Sequence, residues 1–100
     1  MAKSICPKFE KAMSILSKRW VGLIIDQLLS GPKRFNELES VVKLSAKVLS
    51  ERLKFLEEQG VIKREVIAET PVKITYELTD KGRSLKPLME TTKTWAETWL

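Results

Sequence analysis

The apolar residues of this chain recur about every 3.6 positions before Gly60 and every second position after it, which indicates a helix followed by strands. Leu49, Leu53 and Leu56 form one apolar stripe on the helix, and its opposite face carries lysines and glutamates. Ser45 is a favourable N-cap for that helix, and Gly60 is a favourable residue to end it. The sequence therefore predicts a helix between Ser45 and Gly60 that packs on a core with one face and displays the other.

A shorter helix is predicted just upstream, from Asn36 to Val42, with Asn36 as its N-cap and a glutamate three positions later. Only Lys43 and Leu44 separate it from the N-cap of the following helix. Two helices joined this closely are typical of a helix-turn-helix, although a plain helical hairpin would show the same pattern.

Two strands are predicted after Gly60, over residues 61–67 and 72–78, and residues 68–71 form the loop between them. One face of the second strand is expected to be buried, because its apolar residues alternate with polar ones. Those apolar residues are Val72, Ile74, Tyr76 and Leu78. A helix-turn-helix followed directly by a β-hairpin is a winged helix, and this is the predicted fold.

Two helices are predicted before the helix-turn-helix. The first begins at Pro7 and has an apolar face that includes Phe9 and Met13. The second, over roughly residues 18–30, is apolar around most of its circumference and ends at Gly31. We therefore expect the second helix to lie at the centre of the core.

A C-terminal helix is predicted from Thr79 to the end of the chain, with Thr79 as its N-cap and a bend at Pro87. Its regular apolar stripe exceeds what the core of a small domain requires, so we interpret it as a seam for a second chain, although it could also cover its own domain. Together with the first helix it is expected to close a homodimer. The residues expected at this contact are Phe9, Met13, Leu88, Thr92, Trp95 and Trp99.

Composition limits the classes of function. The chain has 100 residues and a net charge of +5, a small surplus that favours a partner such as nucleic acid but that solvated surface lysines also produce. One cysteine and no histidine exclude an internal disulfide and remove the usual general base and most metal ligands. We therefore expect one domain over residues 1–100, α+β but mainly α, that is not an enzyme and holds no metal or cofactor.

The apolar runs are too short for a signal peptide or a membrane span, so a cytoplasmic protein without a membrane partner is expected.

Several short motifs occur in order along almost the whole chain. They are Cys6-Pro7, Lys18-Arg19-Trp20, residues 28–38, residues 49–57, residues 76–82 and Trp95. Their order and spacing resemble the HxlR family of bacterial winged-helix transcription regulators. Cys6, residues 18–20 and the wing sequence over 69–72 further resemble the quinone- and diamide-sensing repressors of Gram-positive bacteria within that family. The resemblance implies a homodimeric repressor that leaves its inverted-repeat operator when its cysteine is modified.

In a winged helix, the helix between Ser45 and Gly60 would read base edges in the major groove of double-stranded DNA. Glu51 on the same face would be repelled by phosphates, so it either meets a base amino group or pairs with Lys47 or Lys54. Arg52 flanks the buried stripe and is a candidate for the scaffold. The expected DNA contacts are Ser45, Lys47, Ser50 and Lys54 on the helix, Lys33 and Arg34 before the helix-turn-helix, and Lys63, Arg64 and Lys73 on the wing.

Cys6 lies at or next to the N-cap of the first helix, where the positive end of the helix dipole and the nearby Lys3 and Lys8 are expected to favour the thiolate. From the residues alone, a small apolar residue without a role is the commoner interpretation, and the resemblance implies a sensor instead. Modification of the only cysteine would give an intersubunit disulfide, a mixed disulfide with a small thiol, or a quinone adduct. A regulator without redox sensing and a winged-helix protein-interaction module are the alternatives left open.

Overall fold

The computed structural model describes residues 4–100. Their elements, in chain order, are α1 (Pro7–Leu16), α2 (Val21–Leu28), β1 (Lys33–Arg34), α3 (Phe35–Val42), α4 (Ala46–Glu58), β2 (Ile62–Ile67), β3 (Lys73–Leu78), α5 (Asp80–Arg83) and α6 (Lys86–Trp99). A helix-turn-helix, α3 and α4, is followed directly by a hairpin, β2 and β3. The predicted winged helix-turn-helix, α+β and mainly helical, is confirmed. None of the helices formed by these residues is long and apolar enough to cross a bilayer.

Helix α2 lies at the centre of the core, as expected. Its Val21, Ile24 and Ile25 are fully buried, and side chains of this size stabilise a fold by about 1.5–3 kcal/mol each when buried. The helix is shorter at both ends than predicted. At its start, Trp20 takes a left-handed backbone conformation, with φ at 76°, so residues 18–20 form a turn instead of the first helical turn.

The helix-turn-helix begins with a different cap from the one expected. Asn36 is not the N-cap of α3, because the helix starts at Phe35 and the backbone N–H of Arg34 donates to Glu37 Oε1 at 2.8 Å. The expected cap of α4 is confirmed: the backbone N–H of Val48 donates to the hydroxyl of Ser45 at 3.2 Å. Leu49, Leu53 and Leu56 of α4 are all buried against the core.

The sheet has three antiparallel strands in the order β1-β3-β2. β1 was not predicted, because a strand of two residues is too short to show an alternating pattern. It pairs Lys33 with Tyr76 and Arg34 with Thr75. Val72 was expected on the buried face, but it lies before β3 and is 59% exposed, because the outer end of the hairpin extends beyond the core.

The predicted C-terminal helix consists of two helices. Thr79 caps the single turn α5, where its hydroxyl accepts a hydrogen bond from the backbone N–H of Gly82 at 3.2 Å. Gly82 is buried against Val61, where a side chain would collide with the backbone, so α5 packs closely on the start of β2. Pro87 does not bend a continuous helix. It lies in the first turn of α6, where its missing N–H costs no hydrogen bond.

Candidate nucleic-acid interface

The face of α4 that points away from the core is polar and open. Ser45, Lys47, Ser50 and Lys54 are all exposed, as the sequence predicted. They are held in position by the buried leucines on the opposite face and by the Ser45 cap. A helix fixed in this way presents its side chains without needing to reorganise on binding.

Glu51 on this face does not form either of the lysine pairs considered from the sequence. Within residues 4–100, the only ion pair of its carboxylate is with Arg52 Nη1 at 3.9 Å. Lys47 and Lys54 make no ion pair in the same part of the chain, so both ammonium groups are available to phosphates.

The cationic residues of the wing lie on two different faces of the hairpin. Arg64 is opposite Tyr76 in the sheet and Lys63 is opposite Glu77, and cross-strand partners share a face. Lys63 Nζ lies 2.9 Å from Glu77 Oε1. The hydrogen bond to Glu77 and the attraction of its carboxylate raise the pKa of Lys63 above its ordinary value of 10.5. Lys63 therefore already has a partner inside the wing, whereas Arg64 forms no ion pair with any residue of the described range 4–100.

Two grooves contain five of the nine predicted DNA contacts. The first lies between α4 and the hairpin and joins Ser50 and Lys54 to Arg64. The second lies at the start of α3 and joins Arg34 to Lys73 of β3. Lys33, by contrast, donates from its Nζ to the hydroxyl of Ser30 at 3.1 Å and lines neither groove. The sequence did not indicate these groupings, because they depend on the register of β1, β2 and β3.

The side chains predicted for the dimer contact are uncovered in a single chain. Phe9 is 63% exposed, Trp95 56% and Trp99 71%, and Met13 and Leu88 are also exposed. The hydroxyl of Thr92 donates to the carbonyl oxygen of Leu88 at 2.7 Å, within α6. Because this hydroxyl already has a partner, Thr92 can be covered by an apolar surface.

Leu23 of α2 was not predicted at this surface. It is 53% exposed and lines a groove with Met89 and Thr92 of α6. The available signal was the apolar circumference of α2: in a domain this small even a central helix keeps one side at the surface, and that side of α2 is apolar as well.

Cys6 is the N-cap residue of α1 and its thiol is exposed. It precedes Phe9 by three residues and Met13 by seven, so it lies at the end of the exposed apolar face of α1. Lys8, two residues further along, is exposed, whereas Lys3 lies outside the described residues. The thiol is therefore accessible to small reagents and close to the predicted dimer contact.

Comparison with known proteins finds transcriptional regulators. The HxlR-like helix-turn-helix family matches residues 15–100. YvaP of Bacillus subtilis strain 168, an uncharacterised HTH-type transcriptional regulator, is 58% identical over 97 residues, which cover 96% of this chain and 90% of YvaP. YodB of the same strain, an HTH-type transcriptional regulator, is 48% identical over 98 residues, which cover 97% of this chain and 88% of YodB.

Solved structures of YodB from B. subtilis share the fold. The reduced form matches with a TM-score of 0.86 at 46% identity, over 96% of this chain and 95% of that one. The diamide-treated form matches with a TM-score of 0.81 at 46% identity, over 97% of each chain. The quinone-bound form matches with a TM-score of 0.83 at 42% identity, over 95% of this chain and 100% of that one.

Proposed function

Since the chain belongs to the HxlR-like helix-turn-helix family of transcriptional regulators, we propose that it is a homodimeric repressor that binds an inverted-repeat operator and releases it when Cys6 is modified. The observation that carries DNA binding is the displayed face of α4, with its four exposed polar or cationic side chains. A helix of this kind fits the major groove, where hydroxyl and ammonium groups meet base edges. The protein would act in the cytoplasm, where bacterial DNA lies.

The two grooves supply the phosphate contacts of the proposed complex. Lys54 and Arg64 flank the groove beside α4, and Arg34 and Lys73 flank the groove at the start of α3. Cations beside the recognition helix and at the start of α3 would contact the phosphate backbones that border a major groove. Binding should therefore weaken steeply as salt rises, because each phosphate contact releases a counterion.

The homodimer is supported by the exposed tryptophans. Trp95 and Trp99 project from α6, and Phe9 and Met13 add apolar surface on α1. Large exposed apolar patches mark contact sites, and a two-fold contact places two recognition helices in inverted orientation. The operator is therefore expected to be an inverted repeat, with half-sites about 10 base pairs apart or a near multiple.

The switch is supported by the exposed thiol of Cys6 at the end of the apolar face of α1. A thiolate adds to a quinone ring carbon; the carbon–sulfur bond forms, the sulfur electron pair reduces the ring, and protonation yields a hydroquinone thioether. An oxidant would instead give a mixed or intersubunit disulfide. YodB has been solved bound to quinone and after diamide treatment, which supports electrophiles and oxidants as the inducers of this chain. Any adduct adds bulk where α1 would meet its partner, and so changes the spacing of the two recognition helices.

The test compares operator binding by the wild type and Cys6→Ser, with and without benzoquinone, by fluorescence anisotropy. We expect both proteins to bind the operator equally without benzoquinone, and only the wild type to release it when benzoquinone is added. If the serine variant releases DNA as readily, Cys6 is not the sensor, although the DNA-binding role stands. If neither protein binds duplex DNA at low salt, the protein is not a repressor. It would then be a winged-helix module that binds another protein.

A further inference from the structure

Helix α4 has a third face, a half-buried flank between its buried leucines and its displayed residues. The flank consists of Val48, Arg52, Phe55 and Gln59, which follow one another at helical spacing. It packs against the α1–α2 turn, which comprises residues 17–20. Arg52 Nε donates to the carbonyl oxygen of Arg19 at 2.9 Å, across 33 positions of sequence. Lys18 Nζ lies 4.9 Å from the centre of the Phe55 ring.

The α1–α2 turn has a defined shape. The backbone N–H of Ser17 donates to Met13 of α1 at 2.8 Å, and the backbone carbonyl of Trp20 accepts from Ile24 of α2 at 3.1 Å. Trp20 has a positive φ of 76°, and its partly buried ring packs against the core with the Arg19 guanidinium 4.5 Å from its centre. Among residues 4–100, the bond from Arg52 is the one hydrogen bond that the Arg19 carbonyl accepts.

The turn thus follows the C-terminal end of α1, and Cys6 caps its N-terminal end. Helix α1 is a single rigid element of 10 residues without a buried residue of its own, so it can shift as a body. Its C-terminal end is bonded through the turn to the flank of α4. A shift of α1 at Cys6 therefore has a direct route to α4 through Arg52, beside the contacts that Leu16 and Trp20 make with the core.

We infer that Arg52 is a positioning residue that couples the first helix to the recognition helix, so that α4 changes orientation when α1 is displaced at Cys6. The inference rests on the proposed function, in which Cys6 is the sensor and α4 the reading helix. Arg52 does not serve as a DNA contact in this arrangement, because its side chain is 21% exposed and is directed to the turn.

The experiment measures hydrogen exchange in the full chain before and after alkylation of Cys6 with N-ethylmaleimide, without DNA. In the wild type, alkylation should speed exchange in residues 17–20 and in α4 by about fivefold or more, the usual lower range of site-to-site coupling. In Arg52→Gln, alkylation should still speed exchange in α1 but should leave α4 within about twofold of its unmodified rate. Glu58→Gln changes one charge on the same helix without touching the turn, and it should respond as the wild type does.

Circular dichroism would show whether Arg52→Gln misfolds, and a second variant tests the same contact without removing Arg52. Phe55→Leu keeps an apolar side chain but removes the ring under Lys18, and it should weaken the response of α4 without abolishing it. An unchanged α4 response in Arg52→Gln overturns the inference, and so does a wild type whose α4 does not respond to alkylation.

DNA binding by the same samples separates the inference from the proposed function. The alkylated wild type could release DNA although hydrogen exchange in α4 is unchanged. Cys6 would then still be the sensor, but Arg52 would not transmit its signal. Salt dependence provides a further readout. If Arg52 bound a phosphate, Arg52→Gln would reduce the salt slope of binding by about one, whereas a positioning role leaves that slope unchanged.

Discussion

Helices α4 and α6 have nearly the same length, 13 and 14 residues, but opposite surroundings. α4 buries three leucines, whereas α6 buries no residue at all. The exposed face of α4 is polar and that of α6 carries two tryptophans. A single chain therefore buries the apolar face of α4 completely, while it leaves both tryptophans of α6 more than half exposed.

The attachment of α6 to its own chain is correspondingly slight. Leu85 and Met89 reach the edge of the core, and Lys93 Nζ lies 2.7 Å from Asp26 of α2. A surface ion pair of this kind contributes about 0.2–1 kcal/mol. In the proposed function the two helices serve different partners, DNA for α4 and a second copy for α6, and substitutions in each helix should separate these roles.

The largest effect is expected from Leu53→Ala in α4. It should lower the free energy of unfolding by about 2–5 kcal/mol, because it leaves a cavity in the core. Leu88→Ala in α6 is the matched change, and at concentrations where the protein is monomeric it should cost about 0.5 kcal/mol or less. Urea unfolding measures both. Equal losses would mean that α6 belongs to the core of one chain, and the contrast between the helices would fail.

Trp95→Glu should come next. A charge at the centre of the dimer contact should weaken association by about 2–4 kcal/mol, the range of an interface hot spot. Light scattering at micromolar concentration should then detect a monomer, and specific operator binding should be lost with the dimer. Trp95→Phe keeps an aromatic side chain and should remain largely dimeric. A wild type that is monomeric in the same measurement would remove the role assigned to α6.

Lys47→Ala and Ser50→Ala on the displayed face of α4 should each weaken operator binding by about 1–3 kcal/mol if they contact bases. Neither should change the melting temperature, because both side chains are exposed. Lys86→Ala, at the start of α6, removes the same charge as Lys47→Ala and controls for net charge. Unchanged affinity in both α4 variants would show that another surface reads the DNA.

The smallest effect concerns the wing, which lies beside α4. Glu77 raises the pKa of Lys63, so the folded protein holds this proton more tightly than the unfolded chain. The stabilisation is fully present below pH 10.5, the ordinary value, and is lost as the pH rises through the higher pKa of the folded state. Wild type should therefore be slightly more stable than Glu77→Gln at neutral pH, and the difference should shrink above pH 10.5. A difference that does not depend on pH would show that the pair does not stabilise the wing.

Many features that could be predicted depend on residues close together in the chain. Pro7, Ser45 and Thr79 each start a helix as expected, because a cap acts within one turn. The strand β3 and the resemblance to the HxlR family are confirmed as well, but the alternation of buried and exposed residues is not, because residues 73–77 are all half-buried in the middle strand of the sheet. Asn36 was the exception, because α3 starts one residue earlier, with Arg34 as the N-cap residue and its backbone N–H bonded to the carboxylate of Glu37.

The sequence by itself determined the order of the helices α1 to α4 and of the hairpin, the buried stripe of α4 and its exposed polar face. Only the tertiary structure decided that Lys63 is held by Glu77, that α5 and α6 are separate, and that Arg52 is bonded to the carbonyl of Arg19. Caps and periodicities act within about a turn of chain. Bonds that join residues tens of positions apart depend instead on strand register and on how whole helices pack, which no local pattern specifies.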